Sequence, residues 1–147
     1  MAKEQKPPIY FVFNDVTPIL RNRKKLKGFI NRLFQKEGKR INHLNYIFCS
    51  DQALLQINWK YLNHDFYTDV ISFNLSHMQS QIIAEVYISL DRVKENAKIF
   101  KTTIQDELHR VIFHGTLHLC GYKDKTQKEI KIMRDKENEL LQNYFIT

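Results

Sequence analysis

The chain has 147 residues, 43% hydrophobic and 12% aromatic, which is the length of one domain with enough apolar material for a core of its own. Four glycines, three prolines, a mean hydropathy of −0.46 and no apolar run of about 18 residues exclude collagen-like, low-complexity and membrane-spanning chains. Twenty-three lysines and arginines against sixteen acids give a net charge of +7, and the excess is local: nine basic residues and one acid, Glu37, fall between Arg21 and Arg40.

Residues 1–147 are therefore expected to form a single water-soluble domain. The start, Met1-Ala2-Lys3-Glu4-Gln5-Lys6, has neither the apolar stretch nor the small-residue cleavage site of a secretory signal, which predicts a cytoplasmic protein without secreted partners. Ile9 to Phe13 reads as a strand, stopped by Asn14-Asp15 and Pro18. From Ile19 the apolar positions Ile19, Leu20, Leu26, Ile30, Leu33 and Phe34 recur at helical spacing until Gly38, while Arg21, Arg23, Lys24, Lys25, Lys27 and Arg32 fill the other face. Such a face suits a polyanion, although cations also serve simply to keep a helix solvated. Leu44 to Cys49 reads as a strand, Asp51 to Leu62 as a helix capped by Ser50, and Val70 to Phe73 and Ile82 to Ile88 as two further strands. The remainder is helical: Leu90 to Phe100, Thr103 to about Leu119, and Thr126 to about Tyr144, the last opening on a Thr126-Gln127-Lys128-Glu129 capping box. This order predicts an α+β fold, α/β-like in character, with one mixed sheet of about four strands packed against about five helices. Cys49 and Cys120 are too few for a disulfide framework and are expected as buried thiols.

The chemistry concentrates in Phe113-His114-Gly115-Thr116-Leu117-His118-Leu119-Cys120-Gly121-Tyr122-Lys123-Asp124, at the end of the second of these three helices. Side chains four positions apart lie one above the other on a helix, so His114 and His118 project from one face, close enough to share a cation. Gly121 falls where the helix should end and accepts the left-handed conformation that turns the chain back, and Asp124 can then return a carboxylate to the same cation. Two imidazoles, a carboxylate and an open fourth position are what a catalytic zinc site needs, whereas a structural site is closed by four protein ligands. Zinc in such a site lowers the pKa of its water towards about 7 and polarises a carbonyl or phosphoryl oxygen, which opens hydrolysis of a peptide or a phosphodiester. A bare His-x-x-x-His is as readily two structural histidines; the added glycine turn and oxygen ligand favour a metal. Cys120 is expected to pack rather than ligate. The spacing is that of metzincin-type zinc peptidases, except that their general-base glutamate is here Gly115, which cannot take a proton; cleavage of RNA is favoured over peptide hydrolysis. Glu107, two helical turns before His114, reads either as a residue that orients a ligand or as a solvated or capping carboxylate. His43, His64, His77 and His109 share no metal spacing.

The segment from His114 to Tyr122 resembles the HGxLHLxGY signature of the YbeY family, bacterial metal-dependent endoribonucleases implicated in maturing small-subunit ribosomal RNA and in ribosome quality control. Upstream, Asn58-Trp59-Lys60-Tyr61 and then Asp65-Phe66-Tyr67-Thr68-Asp69-Val70-Ile71-Ser72-Phe73 resemble the family's N-x-x-Y-R-x-x-D-x-x-T-D-V-L-S-F segment, and Ala84-Glu85-Val86-Tyr87-Ile88-Ser89 resembles its G-D-I-x-I-S strand. The resemblance implies a single-strand endoribonuclease acting at the 3′ end of 16S ribosomal RNA, with His114 and His118 catalytic, Thr68, Asp69 and Ser72 walling the cleft, and ribosomal RNA and the small subunit as partners, without a membrane. Turn chemistry accounts for Thr68 and Asp69 equally well. Two positions depart from the family pattern. Its closing Asp-His is here Lys123-Asp124, so the third ligand becomes an oxygen, which zinc accepts and which shifts preference towards manganese or magnesium. Leu62 stands where the family has an arginine that serves RNA; Lys60 and His64 are the neighbouring cations, read as substitutes or as plain surface residues.

Two other readings remain open at this level. A metallohydrolase of the peptidase type would need a carboxylate from elsewhere, such as Glu107, beside the metal's water. A non-catalytic ribosome-associated factor would bind RNA in a salt-sensitive way that survives chelation, with no cleavage.

Overall fold

Alternating apolar residues build the sheet of this computed structural model, which describes residues 6–146; the leader reading of residues 1–5 lies outside the described residues. In chain order the elements are β1 (Ile9–Phe13), α1 (Arg23–Lys36), β2 (Arg40–Cys49), α2 (Asp51–Leu62), β3 (Val70–Asn74), β4 (Gln81–Ser89), α3 (Leu90–Ile99), α4 (Ile104–Leu119) and α5 (Gln127–Ile146). The four strands form one mixed sheet in the order β1-β2-β4-β3, with β1 parallel to β2, β2 parallel to β4, and β3 antiparallel at the edge. This is the predicted α+β architecture of one four-stranded sheet and five helices.

Period-two alternation assigns the two faces. Leu44, Tyr46 and Phe48 of β2 and Ile82, Ala84, Val86 and Ile88 of β4 enter the main core with Leu26, Ile30 and Phe34 of α1 and Leu108, Ile112 and Phe113 of α4. On the opposite face Cys49, Ile71 and Tyr87 pack under Leu54 and Ile57 of α2. Helices thus cover both faces, and the two cysteines are free thiols. Burial pushes the Cys49 thiol up to about 11 and the Cys120 thiol up to about 12, which keeps both protonated and suits packing rather than ligation.

Two boundaries differ from the periodicity. Helix α1 begins at Arg23, not Ile19, because Asn22 adopts a left-handed conformation (φ 53). Ile19 and Leu20 stay outside it, the Ile19 carbonyl accepting from Gln105 Nε2 at 2.7 Å. Strand β2 begins four residues before Leu44, since the register shifts between Ile41 and His43 and the bulge breaks the alternation that marks a strand. Ser50 caps α2 as predicted, its side chain accepting from the Ala53 amide, and Thr126 and Glu129 exchange both bonds of the capping box at 3.0 and 3.1 Å. No helix among the described residues is long and apolar enough to cross a membrane.

Candidate metal centre

Helix α4 passes through the middle of the fold, between α3 and α5 and against β3 and β4, and its last two turns carry His114 and His118. It ends in a Schellman turn: Gly121 takes φ 100, its amide donates to the His118 carbonyl, and the Tyr122 amide donates to the Leu117 carbonyl, both at 3.0 Å. The turn also orients a ligand, because His118 Nδ1 donates to the Tyr122 carbonyl at 2.9 Å. A ring that spends its Nδ1 hydrogen in this way presents a bare Nε2. His114 is held in the same manner by Glu137, with Nδ1 and Oε2 2.7 Å apart.

The two Nε2 atoms converge to 3.0 Å, and Asp124 Oδ2 lies 3.3 Å from that of His114 and 3.2 Å from that of His118. Two nitrogen lone pairs and an anionic oxygen facing one another repel unless a cation lies among them, so the donor set fits a metal ion. All three ligand atoms lie within 4.8 Å of one another, and they form the one such group among the described residues. Asp124, which has no helical register to predict it, is brought there by the turn at Gly121.

Behind the histidines lies a buried ionic network that sequence spacing misses. Glu137, on α5 and only 2% exposed, accepts from His114 and from Arg110 Nη1 at 3.1 Å. Arg110 also donates to Glu107 through Nε at 2.8 Å, and its Nη2 is 3.4 Å from Asp69 Oδ2. Burial alone pulls the His114 imidazole down, but the hydrogen bond and charge of Glu137, with Asp69 and Asp124 nearby, carry it above its ordinary value. Burial likewise disfavours the Glu137 carboxylate, yet His114 and Arg110 hold it below the usual range. Glu107 is neither solvated nor a cap: it is buried against Arg110 and reaches the ligands only through Arg110 and Glu137. Its partner Arg110 is visible in the sequence as a neighbour three residues on, whereas nothing local points to Glu137.

The predicted cleft residues follow the α2–β3 loop into this network. Thr68 is half-buried just before β3, Asp69 reaches Arg110 and Asn96, and Ser72 donates to the Gly115 carbonyl at 2.9 Å. Gly115 has a packing role: a Cβ there would stand 2.8 Å from Val86 Cγ1 and 3.0 Å from Val70 Cγ2. A glutamate at this position would be driven into the sheet.

The predicted cations divide into free and engaged groups, and Arg21 lies before α1 rather than on its face, because the helix starts only after the left-handed Asn22. Arg21, Arg23, Lys24 and Arg32 are exposed, Arg23 with its guanidinium 5.0 Å from the Phe13 ring centre. Lys25 instead donates to the Tyr144 carbonyl at 2.8 Å and lies 4.4 Å from that ring's centre, and Lys27 lies 5.7 Å from Phe11. The C-terminal end of the helix approaches the ligand turn through Glu37, whose carboxylate is 3.4 Å from the Tyr122 hydroxyl.

Comparison with known proteins agrees with this geometry. The family Endoribonuclease YbeY matches residues 14–145. The Endoribonuclease YbeY of Cytophaga hutchinsonii is 49% identical over 90% of this chain and 93% of its own, and that of Flavobacterium psychrophilum is 46% identical over 81% and 84%. The solution structure of TM1509 from Thermotoga maritima superposes with a TM-score of 0.63 at 27% identity, covering 93% of this chain and 89% of that one. With a match of this extent, and the signature histidines converging with Asp124 on one point, the chain belongs to the YbeY family of endoribonucleases.

Proposed function

We propose that this endoribonuclease uses zinc held by His114, His118 and Asp124 to cut single-stranded RNA at the 3′ end of small-subunit (16S) ribosomal RNA, working on the small subunit in the cytoplasm. The observation that carries the reading is the convergence of the three ligand atoms within 4.8 Å. Two nitrogens and one oxygen suit zinc, and the oxygen also admits manganese or magnesium. When bound, such a cation supplies a Lewis acid that polarises a phosphoryl oxygen and lowers the pKa of a water molecule. The chain supplies the rest. Glu137 and the Tyr122 carbonyl hold the Nδ1 hydrogens so that both Nε2 lone pairs face one place. Arg110 balances the Glu137 charge, which lets a carboxylate persist in the interior. His118 and Asp124 keep an accessible rim through which a phosphodiester can approach, and the exposed cations of α1 attract its backbone without regard to sequence.

A peptidase reading finds little support in this site. Gly115 offers no carboxylate, and that of Glu107 is buried against Arg110. The test is incubation of the purified protein with small-subunit ribosomal RNA, with and without chelator and with His114→Ala. Cleavage is expected only from metal-loaded wild type, and equal cleavage by His114→Ala overturns the assignment. Metal analysis of Asp124→Ala beside wild type is expected to show loss of bound zinc; undiminished zinc removes Asp124 from the ligand set.

A further inference from the structure

Between the last turn of α2 and the start of β3, the chain displays Trp59, Tyr61, Leu62, Phe66 and Tyr67 to solvent. Trp59 is 57% exposed and Phe66 55%. The segment is not loose. Asn63 takes a left-handed conformation (φ 56), the His64 amide donates to the Asn58 carbonyl at 3.2 Å, and the buried Asn58 side chain donates to the Phe66 carbonyl at 3.0 Å. The packing face of α2 is the opposite one, through Leu54 and Ile57, so most of the surface of these outward rings stays in solvent.

Some of the rings have partners. Tyr67 lies 5.5 Å below the Arg92 guanidinium and reaches Gln52, and Tyr61 packs edge-on against Phe73. Trp59 makes no such ring or cation contact among the described residues, and with Leu55, Gln56 and Asp65 it lines a hollow of about 260 Å³. Lys60 and His64 stand beside it in the sequence, and the loop continues to Asp69, whose carboxylate lies 3.4 Å from Arg110 in the network behind the metal ligands.

We infer that the hollow between Trp59 and Asp65 binds one unstacked base of a single-stranded RNA, the base lying on the indole face. The inference rests on the RNA-cleaving function proposed above and adds where the strand is gripped. An aromatic face stacks on any base, which is how single strands are held without sequence choice. The Asp65 carboxylate accepts from the N–H groups on a base edge and repels phosphate, so the hollow takes the base while the neighbouring Lys60 takes the backbone. This arrangement supplies a grip on the strand where Leu62 provides no charge.

Trp59 is the sole tryptophan of the chain, so its fluorescence reads the contact directly. The full-length protein, in chelator to prevent cleavage, is titrated with a uridine octaribonucleotide. Saturable quenching is expected in wild type. By anisotropy of the labelled oligonucleotide, Trp59→Ala is expected to bind about tenfold more weakly, while Trp59→Phe, which keeps a stacking ring, binds nearly as wild type. RNA binding without quenching, or with unchanged affinity in Trp59→Ala, overturns the inference; a protein partner for the patch would give that same result. These outcomes leave the cleavage assay of His114→Ala untouched, so the two readings fail separately.

Discussion

Glu137 is almost without solvent contact, yet it faces Arg110 on one side and the His114 ring on the other, so its charge is balanced rather than stranded. Replacing it with glutamine keeps an acceptor for His114 Nδ1–H but removes the charge that makes the ring a stronger donor to a metal. Metal affinity of Glu137→Gln, measured by competition with a chromogenic chelator, is expected to fall about 10–100-fold. Unchanged affinity would mean that the carboxylate only packs. The candidate ligand cluster was legible because His114, His118 and Asp124 lie within eleven residues, joined by one helical repeat and one turn. Glu137 was not legible, since it comes twenty-three residues after His114 on another helix.

Helix α4 lies close against the sheet at Gly115, where a methyl group would meet the stiff, fully buried Val86 at 2.8 Å. Alanine gains about 1 kcal/mol in helix propensity over glycine, but overpacking a core costs about 1–3 kcal/mol, and a β-branched neighbour within a strand cannot swing away. Gly115→Ala is therefore expected to lower the urea midpoint despite its better propensity; a raised midpoint would show that α4 can lift from the sheet. On α1, Arg32→Ala is expected to reduce the salt dependence of single-stranded RNA binding by about 0.7 in the log–log slope. Lys25→Ala, which loses its bond to Tyr144, is expected instead to cost about 1 kcal/mol of stability with little change in that slope. Equal slopes for wild type and Arg32→Ala would remove this helix from the RNA surface. Hydropathy placed both lysine and arginine on one cationic face; only the docking of α5 separates the engaged Lys25 from the free Arg32.

Across the whole molecule, stability carries a pH dependence through His109, which is stacked on Tyr144 between α4 and α5 with Nδ1 2.7 Å from the Gln105 carbonyl. Burial pushes this imidazole below its ordinary value of 6.5. The unfolded chain then binds a proton that the folded chain resists, so the stability due to the neutral ring is complete above pH 6.5 and declines as pH falls below it. Urea midpoints compared between about pH 7.5 and 5.5 are expected to drop more for wild type than for His109→Gln. The same drop in both would exclude His109 as the source.

Local physics made much of this protein readable from its residues alone. Period-two strands, helical apolar stripes, the Ser50 cap, the Thr126–Glu129 box and the His114–His118 pair with its Gly121 turn are all set by neighbours within a few positions. Elements slipped where a backbone event hides in the pattern, at the left-handed Asn22 and at the bulge after Ile41. The close fit of Gly115 on β3 and β4, the burial of Glu107, and the reach of Glu137 to His114 were settled only when α4 came to lie between the sheet and α5. Those contacts join residues distant in the chain, and their energies come from desolvation and packing that exist only after the helices have docked.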